Sequence, residues 1–281
     1  MTIPKELTIK AFAFDLDGTL VNNDKQVTPR TKTAVHAAID AGITVILASG
    51  RPSRGMFHIA RELELETRGG YILAYNGGEI IDCQTHQVVY KQLLPKPFYQ
   101  DICRIAKAQG LMPLTYTNDA ILTENTNDPY VLKEQACTNM AIEAVDDLGA
   151  IDLEVVKFLV VGEPSTANAG IHALKEKFSP DLNIFFSEPY FIEVTPPGID
   201  KAASIGRLCD TLGIAMTDVC AMGDGMNDLT MLTQAGFSVA MKNASDHVKS
   251  HAKLVTASTN DEDGLAEFIE EYLNNKQKRK T

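Results

Sequence analysis

The first fifty residues contain a β-α-β unit, and this feature restricts the fold more than any other. The apolar run from Ile9 to Phe14 predicts a buried strand, and Thr28-Pro29 has the residue types of a helix N-cap followed by the first helical position. Gly42 should end the helix, and the apolar run Ile43 to Ala48 predicts a second strand. Since the crossover in such a unit is right-handed and its strands are parallel, we expect an α/β fold built on a parallel sheet.

The first two predicted strands deliver polar side chains to one edge of this sheet, where α/β proteins place ligands. Asp15 and Asp17 follow the first strand, and Ser49-Gly50 follows the second. Side chains two apart in extended backbone point to the same side, so the two aspartates should reach one space that suits a cation. Gly18 permits a sharp turn, and Thr19 can hydrogen-bond the backbone of that turn. The simpler alternative is that Asp-Gly marks an ordinary turn.

A hairpin is predicted where Asn76-Gly77 separates two short extended runs, 71–75 and 79–82. Asn76 is either a plain turn residue or a substrate contact at the mouth of the site, and the sequence favours neither.

The regular alternation of strands and helices changes character between residues 83 and 188. Helical stretches there alternate with strands that do not end in clustered acids, whereas the earlier pattern returns at Phe191. The length also favours about two domains. We therefore expect a core made of residues 1–82 and 189–281 and an inserted α+β domain at 83–188.

A third strand end completes a set of oxygen-rich side chains. The run Val219 to Met222 leads into Gly223-Asp224-Gly225-Met226-Asn227-Asp228, and Lys201 stands where a helix should begin. Carboxylate oxygens in this number suit Mg²⁺, while a lysine, an amide and a hydroxyl can surround a phosphate dianion. The combination is typical of phosphoryl transfer, which depends on positioning and charge neutralisation.

These residues resemble, in order, the four motifs of the haloacid dehalogenase superfamily: Asp15-Leu16-Asp17-Gly18-Thr19, Ser49, Lys201, and Gly223-Asp224-x-x-Asn227-Asp228. The insertion lies where the type IIB cap of the Cof-type subfamily lies. The resemblance implies a Rossmann-like parallel-sheet core with an inserted α+β cap domain that sets substrate specificity.

The resemblance also implies a covalent two-step hydrolysis of small phosphorylated metabolites, with sugar phosphates as the expected substrates. Asp15 would be the nucleophile and Asp17 the general acid and base. Mg²⁺ would be held by Asp15, the Asp17 backbone carbonyl and Asp224, with Asp228 nearby or acting through water. The implied ligands of the phosphoryl oxygens are Ser49, the backbone of Leu16 and Gly50, Lys201 and Asn227.

Other functions remain open at this point. A phosphotransferase or mutase could use the same aspartyl-phosphate, and the substrate could instead be FMN, pyridoxal phosphate or a nucleotide. A ligand sensor on the same fold is a third reading. The presence of both Asp15 and Asp17 argues against the sensor.

Composition excludes some functional classes. The net charge of −11 makes a nucleic-acid partner unexpected, and no apolar run approaches the length of a membrane helix. Five scattered cysteines indicate reduced thiols, so we expect a cytoplasmic protein. The sequence does not give the oligomeric state.

Three surface features receive no functional role from the sequence. Lys242 is expected to be solvent-exposed, and the basic end Lys276 to Lys280 is expected to be disordered. A hairpin containing Tyr116, Asn118, Asp119 and Thr123 is interpreted as ordinary surface.

Overall fold

The computed structural model describes residues 3, 4 and 6–279, which form two compact units. The first unit holds the described residues up to Ser49, the segment Phe57–Val89 and the described residues from Asp200 onward. The second unit holds Gly50–Met56 and Tyr90–Ile199.

Strands and helices alternate along most of the described chain. The strands are β1 (Ala11–Phe14), β2 (Thr44–Ala48), β3 (Tyr71–Ala74), β4 (Glu79–Asp82), β5 (Val88–Lys91), β6 (Met112–Tyr116), β7 (Ala120–Thr123), β8 (Ala141–Ala144), β9 (Phe158–Val161), β10 (Asn183–Glu188), β11 (Phe191–Thr195), β12 (Val219–Gly223), β13 (Phe237–Ala240) and β14 (Leu254–Val255). The α-helices are α1 (Pro29–Asp40), α2 (Arg54–Glu62), α3 (Leu65–Arg68), α4 (Tyr99–Ala108), α5 (Pro129–Thr138), α6 (Pro164–Phe178), α7 (Lys201–Leu212), α8 (Leu229–Gln234), α9 (Asp246–Lys249) and α10 (Gly264–Gln277).

The first sheet confirms the predicted α/β fold. Its strand order is β14-β13-β12-β1-β2-β3-β4-β5, and the strands from β14 to β3 run parallel to their neighbours. In the register, Phe12 lies between Val45 and Cys220. The carboxyl ends of β12, β1 and β2 therefore meet at one edge of the sheet.

The helix of the opening β-α-β unit begins and ends as the sequence predicts. Thr28 has extended backbone and its side chain accepts a hydrogen bond from the Thr31 N–H, while Pro29 occupies the first helical position. After the helix, Gly42 adopts a φ of +79°, which turns the chain into β2.

Aromatic rings fill the core of the first unit under β1. The rings of Phe12 and Phe14 stack with centroids 5.4 Å apart, and Phe12 meets the edges of Phe268 and Tyr272 from α10. The Tyr272 hydroxyl accepts a hydrogen bond from the Ile9 N–H at 2.9 Å. The strand that precedes Asp15 is thus fixed by packing and by a buried hydrogen bond.

The second unit is built on a separate six-stranded sheet of order β10-β11-β9-β6-β7-β8. Its neighbouring strands are antiparallel except for β7 and β8. Tyr99 lies in its core, where it packs against Phe158 with ring centroids 5.0 Å apart and donates a hydrogen bond to the Leu94 carbonyl. Strands β5 and β8 were not predicted, because both are short and their side chains are mostly exposed.

The expectation of a disordered C-terminal end is wrong for its described part. Helix α10 continues through Lys276 to Gln277, and the Arg279 guanidinium donates to the carbonyls of Pro4 and Leu7. Lys280 lies outside the described residues. Among the residues that are described, no helix combines the length and apolar character needed to span a membrane.

Candidate functional site

Three adjacent strands of the first sheet place the predicted acids and the serine. The Asp15 N–H donates to the Met222 carbonyl of β12 at 2.9 Å, and the Ser49 N–H donates to the Leu73 carbonyl of β3 at 2.9 Å. The backbone of both residues is thus still hydrogen-bonded to the neighbouring strand just beyond the end of their own strand. Asp224 follows β12 directly. The structure therefore brings Asp15, Ser49 and Asp224 to one edge of the sheet.

The turn after Asp15 is shaped by contact with Asp224. Gly18 has a φ of +81°, and a Cβ on it would lie 2.3 Å from Asp224 Oδ2. Glycine is required there for both reasons. The Thr19 hydroxyl, which the sequence suggested would bond to the turn itself, instead donates to Asp224 Oδ1 at 2.9 Å. The turn holds Asp224 in place rather than only supporting its own backbone.

Lys201 joins two carboxylates in the interior of the first unit. It is the first residue of α7, whose N-cap Asp200 accepts from the Ala203 N–H. Its Nζ lies 2.5 Å from Asp15 Oδ1 and 2.6 Å from Asp228 Oδ1, and its side chain is fully buried. Burial lowers the pKa of Lys201, but the attraction of the two carboxylates outweighs burial and raises that pKa above its ordinary value.

Asp228 is engaged at both carboxylate oxygens. Oδ1 accepts from Lys201, and Oδ2 accepts from the backbone N–H groups of Asp224 and Gly225 at 2.9 and 2.8 Å. The residue is completely buried. These bonds fix both the ammonium group and the segment that carries Asp224.

Asp15, Asp224 and Asp228 form a carboxylate cluster in which each contributes a ligand atom within 4.8 Å of the others. Burial, followed by the charge of Asp228, raises the pKa of Asp15 well above its ordinary value and that of Asp224 to about 6. A buried group of like charges is relieved by protons or by a cation. Three hard oxygen donors at this spacing fit a divalent metal ion, so the cluster could hold one.

Asp17 lies outside this cluster of three. Its carboxylate is partly exposed and pairs with the Lys25 ammonium at 2.8 Å. Both predicted aspartates therefore face a lysine, but Asp15 is buried within the carboxylate cluster whereas Asp17 lies near solvent.

Ser49 contacts Asn76, which in turn contacts Asn227. The Ser49 carbonyl accepts from the Asn76 N–H at 2.8 Å, and Asn227 Nδ2 donates to Asn76 Oδ1 over a long 3.4 Å. Leu16 is buried, and its carbonyl accepts from three successive N–H groups of the turn. Gly50 is the first residue of the second unit, where its carbonyl accepts from Lys157 Nζ at 3.0 Å.

The sequence did not predict two contacts of the site. Asn243 Nδ2 donates to the Gly18 carbonyl at 2.8 Å and lies 3.4 Å from Asp224 Oδ2. Lys25 pairs with Asp17. Nothing in the sequence around Asn243 indicated that its side chain contacts the turn. Its neighbour Lys242 is exposed, as predicted, and lies near Glu262.

The second unit contains a buried polar cluster that the sequence did not reveal. Lys157 Nζ pairs with Glu193 Oε2 at 2.8 Å, and the Tyr116 hydroxyl donates to Glu134 Oε1 at 2.7 Å. Burial raises the pKa of Glu134 to about 7. The interpretation of the β6–β7 hairpin as ordinary surface is wrong for Tyr116 and Thr123, which are both buried.

Comparisons with known proteins agree with this geometry. A family model described as haloacid dehalogenase-like hydrolase matches residues 12–269. A haloacid dehalogenase-like hydrolase from Bacteroides thetaiotaomicron superposes with a TM-score of 0.89 at 42% identity, covering 94% of this chain and 99% of that one. The structure of the HAD subclass IIB sugar phosphatase BT4131 gives a TM-score of 0.79 at 25% identity, with coverages of 94% and 98%. The 5-amino-6-(5-phospho-D-ribitylamino)uracil phosphatase YcsE of Bacillus subtilis is 30% identical over 275 residues, which are 97% of this chain and 100% of the relative.

Proposed function

Because the chain belongs to the haloacid dehalogenase-like hydrolase family, we propose that it is a Mg²⁺-dependent phosphatase of small phosphorylated metabolites. The observation that carries the proposal is the setting of Asp15. Its buried carboxylate lies 2.5 Å from the Lys201 ammonium and belongs to a cluster that also contains Asp224 and Asp228. A nucleophile, a fixed cation and metal-binding oxygens therefore share one small space.

The carboxylates of Asp15 and Asp224, with the backbone carbonyl of Asp17, would hold the Mg²⁺. Asp228 would act indirectly, since both of its oxygens already accept hydrogen bonds from Lys201 and from the backbone. When bound, Mg²⁺ neutralises charge on the phosphoryl oxygens.

In the first step, the Asp15 carboxylate attacks phosphorus and the bond from phosphorus to the alcohol oxygen breaks. Lys201 favours the ionised form of Asp15 that this attack needs. Asp17 gives its proton to the departing alkoxide, which leaves as an alcohol. Asp15 is then an aspartyl-phosphate.

In the second step, Asp17 takes a proton from water, and the water oxygen attacks the aspartyl-phosphate. Inorganic phosphate leaves, and the Asp15 carboxylate and the Asp17 acid are restored. Throughout, the phosphoryl oxygens would be bound by Ser49, Lys201 and Asn227 and by the backbone N–H groups of Leu16 and Gly50.

We propose sugar phosphates as the substrates. BT4131 is described as a sugar phosphatase, and YcsE acts on a ribityl phosphate, so both names point to phosphate esters of polyhydroxylated chains. The stretches at 75–77, 189–194 and 240–244 also resemble the sugar phosphatase YidA. We further propose that residues 83–188 act as the cap domain that selects the substrate, and that the enzyme works in the cytoplasm, where its cysteines stay reduced.

A panel of phosphate esters tests the proposal. The wild-type protein should release inorganic phosphate from sugar phosphates in Mg²⁺, and EDTA should stop the release until Mg²⁺ is restored. Asp15→Asn should abolish turnover, whereas Asp181→Asn, the same change at an exposed site, should not alter it. Wild-type rates in Asp15→Asn, or no hydrolysis of any ester by the wild-type protein, would contradict the proposal.

A further inference from the structure

The side chain of Asn76 is buried with an unused hydrogen-bond donor. The residue is 3% exposed, and its Nδ2 has no hydrogen-bond partner among the described residues. Its Oδ1 is used, because it accepts from Asn227 Nδ2. Buried amide donors are nearly always paired, so an orphan of this kind indicates a partner that arrives from outside the chain.

The backbone around Asn76 is held in an unfavourable conformation. Tyr75, Asn76 and Gly77 all have positive φ, at 54°, 57° and 98°, although only one of them is glycine. The turn is clamped from two sides. The Asn76 N–H donates to the Ser49 carbonyl at 2.8 Å, and the Gly77 carbonyl accepts from the Ser204 hydroxyl of α7 at 2.9 Å. Strain that is maintained in this way is common where a side chain must be presented to a ligand.

We propose that Asn76 Nδ2 donates a hydrogen bond to an oxygen of the transferred phosphoryl group. The inference rests on the proposed phosphatase function. Asn76 contacts Ser49 and Asn227, and that function assigns both of these residues to the phosphoryl oxygens. Because Asn76 is held between those two residues, its Nδ2 should bind the same phosphoryl group. It is also neutral, so it binds the dianion without changing the charge balance of Asp15 and Lys201. Asn76 is therefore a phosphate ligand rather than a plain turn residue or a contact to the sugar.

Asn76→Gly removes the amide while keeping a residue that accepts the left-handed backbone. The probe is inorganic phosphate, titrated calorimetrically into the full-length protein in Mg²⁺. The dissociation constant should rise about 10- to 100-fold, as expected for losing a hydrogen bond to a charged group. The matched control is Asn139→Gly, because Asn139 also has a left-handed φ of 55° but is exposed. Its phosphate affinity should equal that of the wild-type protein.

Two further measurements separate a direct contact from an indirect one. If Asn76 binds phosphate itself, Asn76→Gly should weaken phosphate binding further in an Asn227→Ala background. The loss in kcat/KM should also be the same for p-nitrophenyl phosphate and for sugar phosphates, since all share the phosphoryl group.

The inference is overturned if Asn76→Gly binds phosphate like the wild-type protein, if it adds nothing to Asn227→Ala, or if its effect depends on the leaving group. In each of these cases the proposed function is retained if the wild-type protein still hydrolyses phosphate esters. A wild-type protein that neither binds phosphate nor hydrolyses esters removes the proposed function and this inference together.

Discussion

Replacing Lys201 with methionine should destabilise the first unit strongly. The change keeps most of the side-chain volume but removes an ammonium group that lies 2.5 Å from Asp15 and 2.6 Å from Asp228. Breaking a buried ion pair at one partner costs about 3–5 kcal/mol, because the other charge stays buried without compensation.

The lower end of that range, about 3 kcal/mol, is expected here for two reasons. Asp228 keeps its hydrogen bonds from the Asp224 and Gly225 backbone. Asp15 can take up a proton, since its pKa is already raised and loses the lowering influence of Lys201 in the variant. This relief is lost as the pH rises through the folded-state pKa of Asp15. The deficit in the free energy of unfolding should therefore be larger at pH 8 than at pH 5.

Urea unfolding followed by circular dichroism, with EDTA present, measures this deficit at the two pH values. Lys242→Met is the matched control, because Lys242 is 50% exposed and lies 3.4 Å from Glu262. An exposed pair of this kind contributes less than about 1 kcal/mol. The reasoning is refuted if Lys201→Met unfolds within about 1 kcal/mol of the wild-type protein at pH 8.

Three other perturbations have defined outcomes. Because the folded-state pKa of Glu134 is about 7 rather than 4.5, its contribution to stability falls as pH rises through that interval. Between pH 5 and pH 8, the free energy of unfolding of the wild-type protein should therefore fall by about 3 kcal/mol relative to that of Glu134→Gln, which the two melting temperatures measure. The same pH dependence in both proteins would contradict the raised pKa of Glu134. Gly18→Ala should lower kcat at least about tenfold, since its methyl group would displace the Asp224 carboxylate, and an unchanged kcat would show that the turn adapts. Lys25→Met should leave stability within about 1 kcal/mol. If Lys25 orients Asp17 as the general acid, kcat should fall more for alkyl phosphates than for p-nitrophenyl phosphate, whose leaving group needs no proton.

The sequence predicted the parts of the site that follow strands directly. Asp15, Ser49 and Asp224 each stand after an apolar run, and parallel strands bring their carboxyl ends together whatever the intervening loops do. The Asn76-Gly77 turn was predictable for a similar reason, because the residue types that accept positive φ are few.

Contacts made through long-range packing could not be predicted. Asn243 reaches Gly18 across more than two hundred residues of sequence, and an exposed asparagine carries no pattern that indicates such a partner. Tyr116 was wrongly predicted to lie on the surface, because antiparallel hairpins commonly have one solvent-exposed face. All four residues of β7 are buried instead, so the hairpin is covered on both sides.

The composition of the carboxylate cluster also bears on the order in which ligands bind. Asp15, Asp224 and Asp228 face a single ammonium, so in fully ionised form the cluster retains two negative charges. A phosphate dianion that arrives first meets repulsion, whereas a divalent cation that arrives first leaves the cluster neutral. Metal and phosphate should then show positive cooperativity, and each should raise the affinity for the other by the same factor.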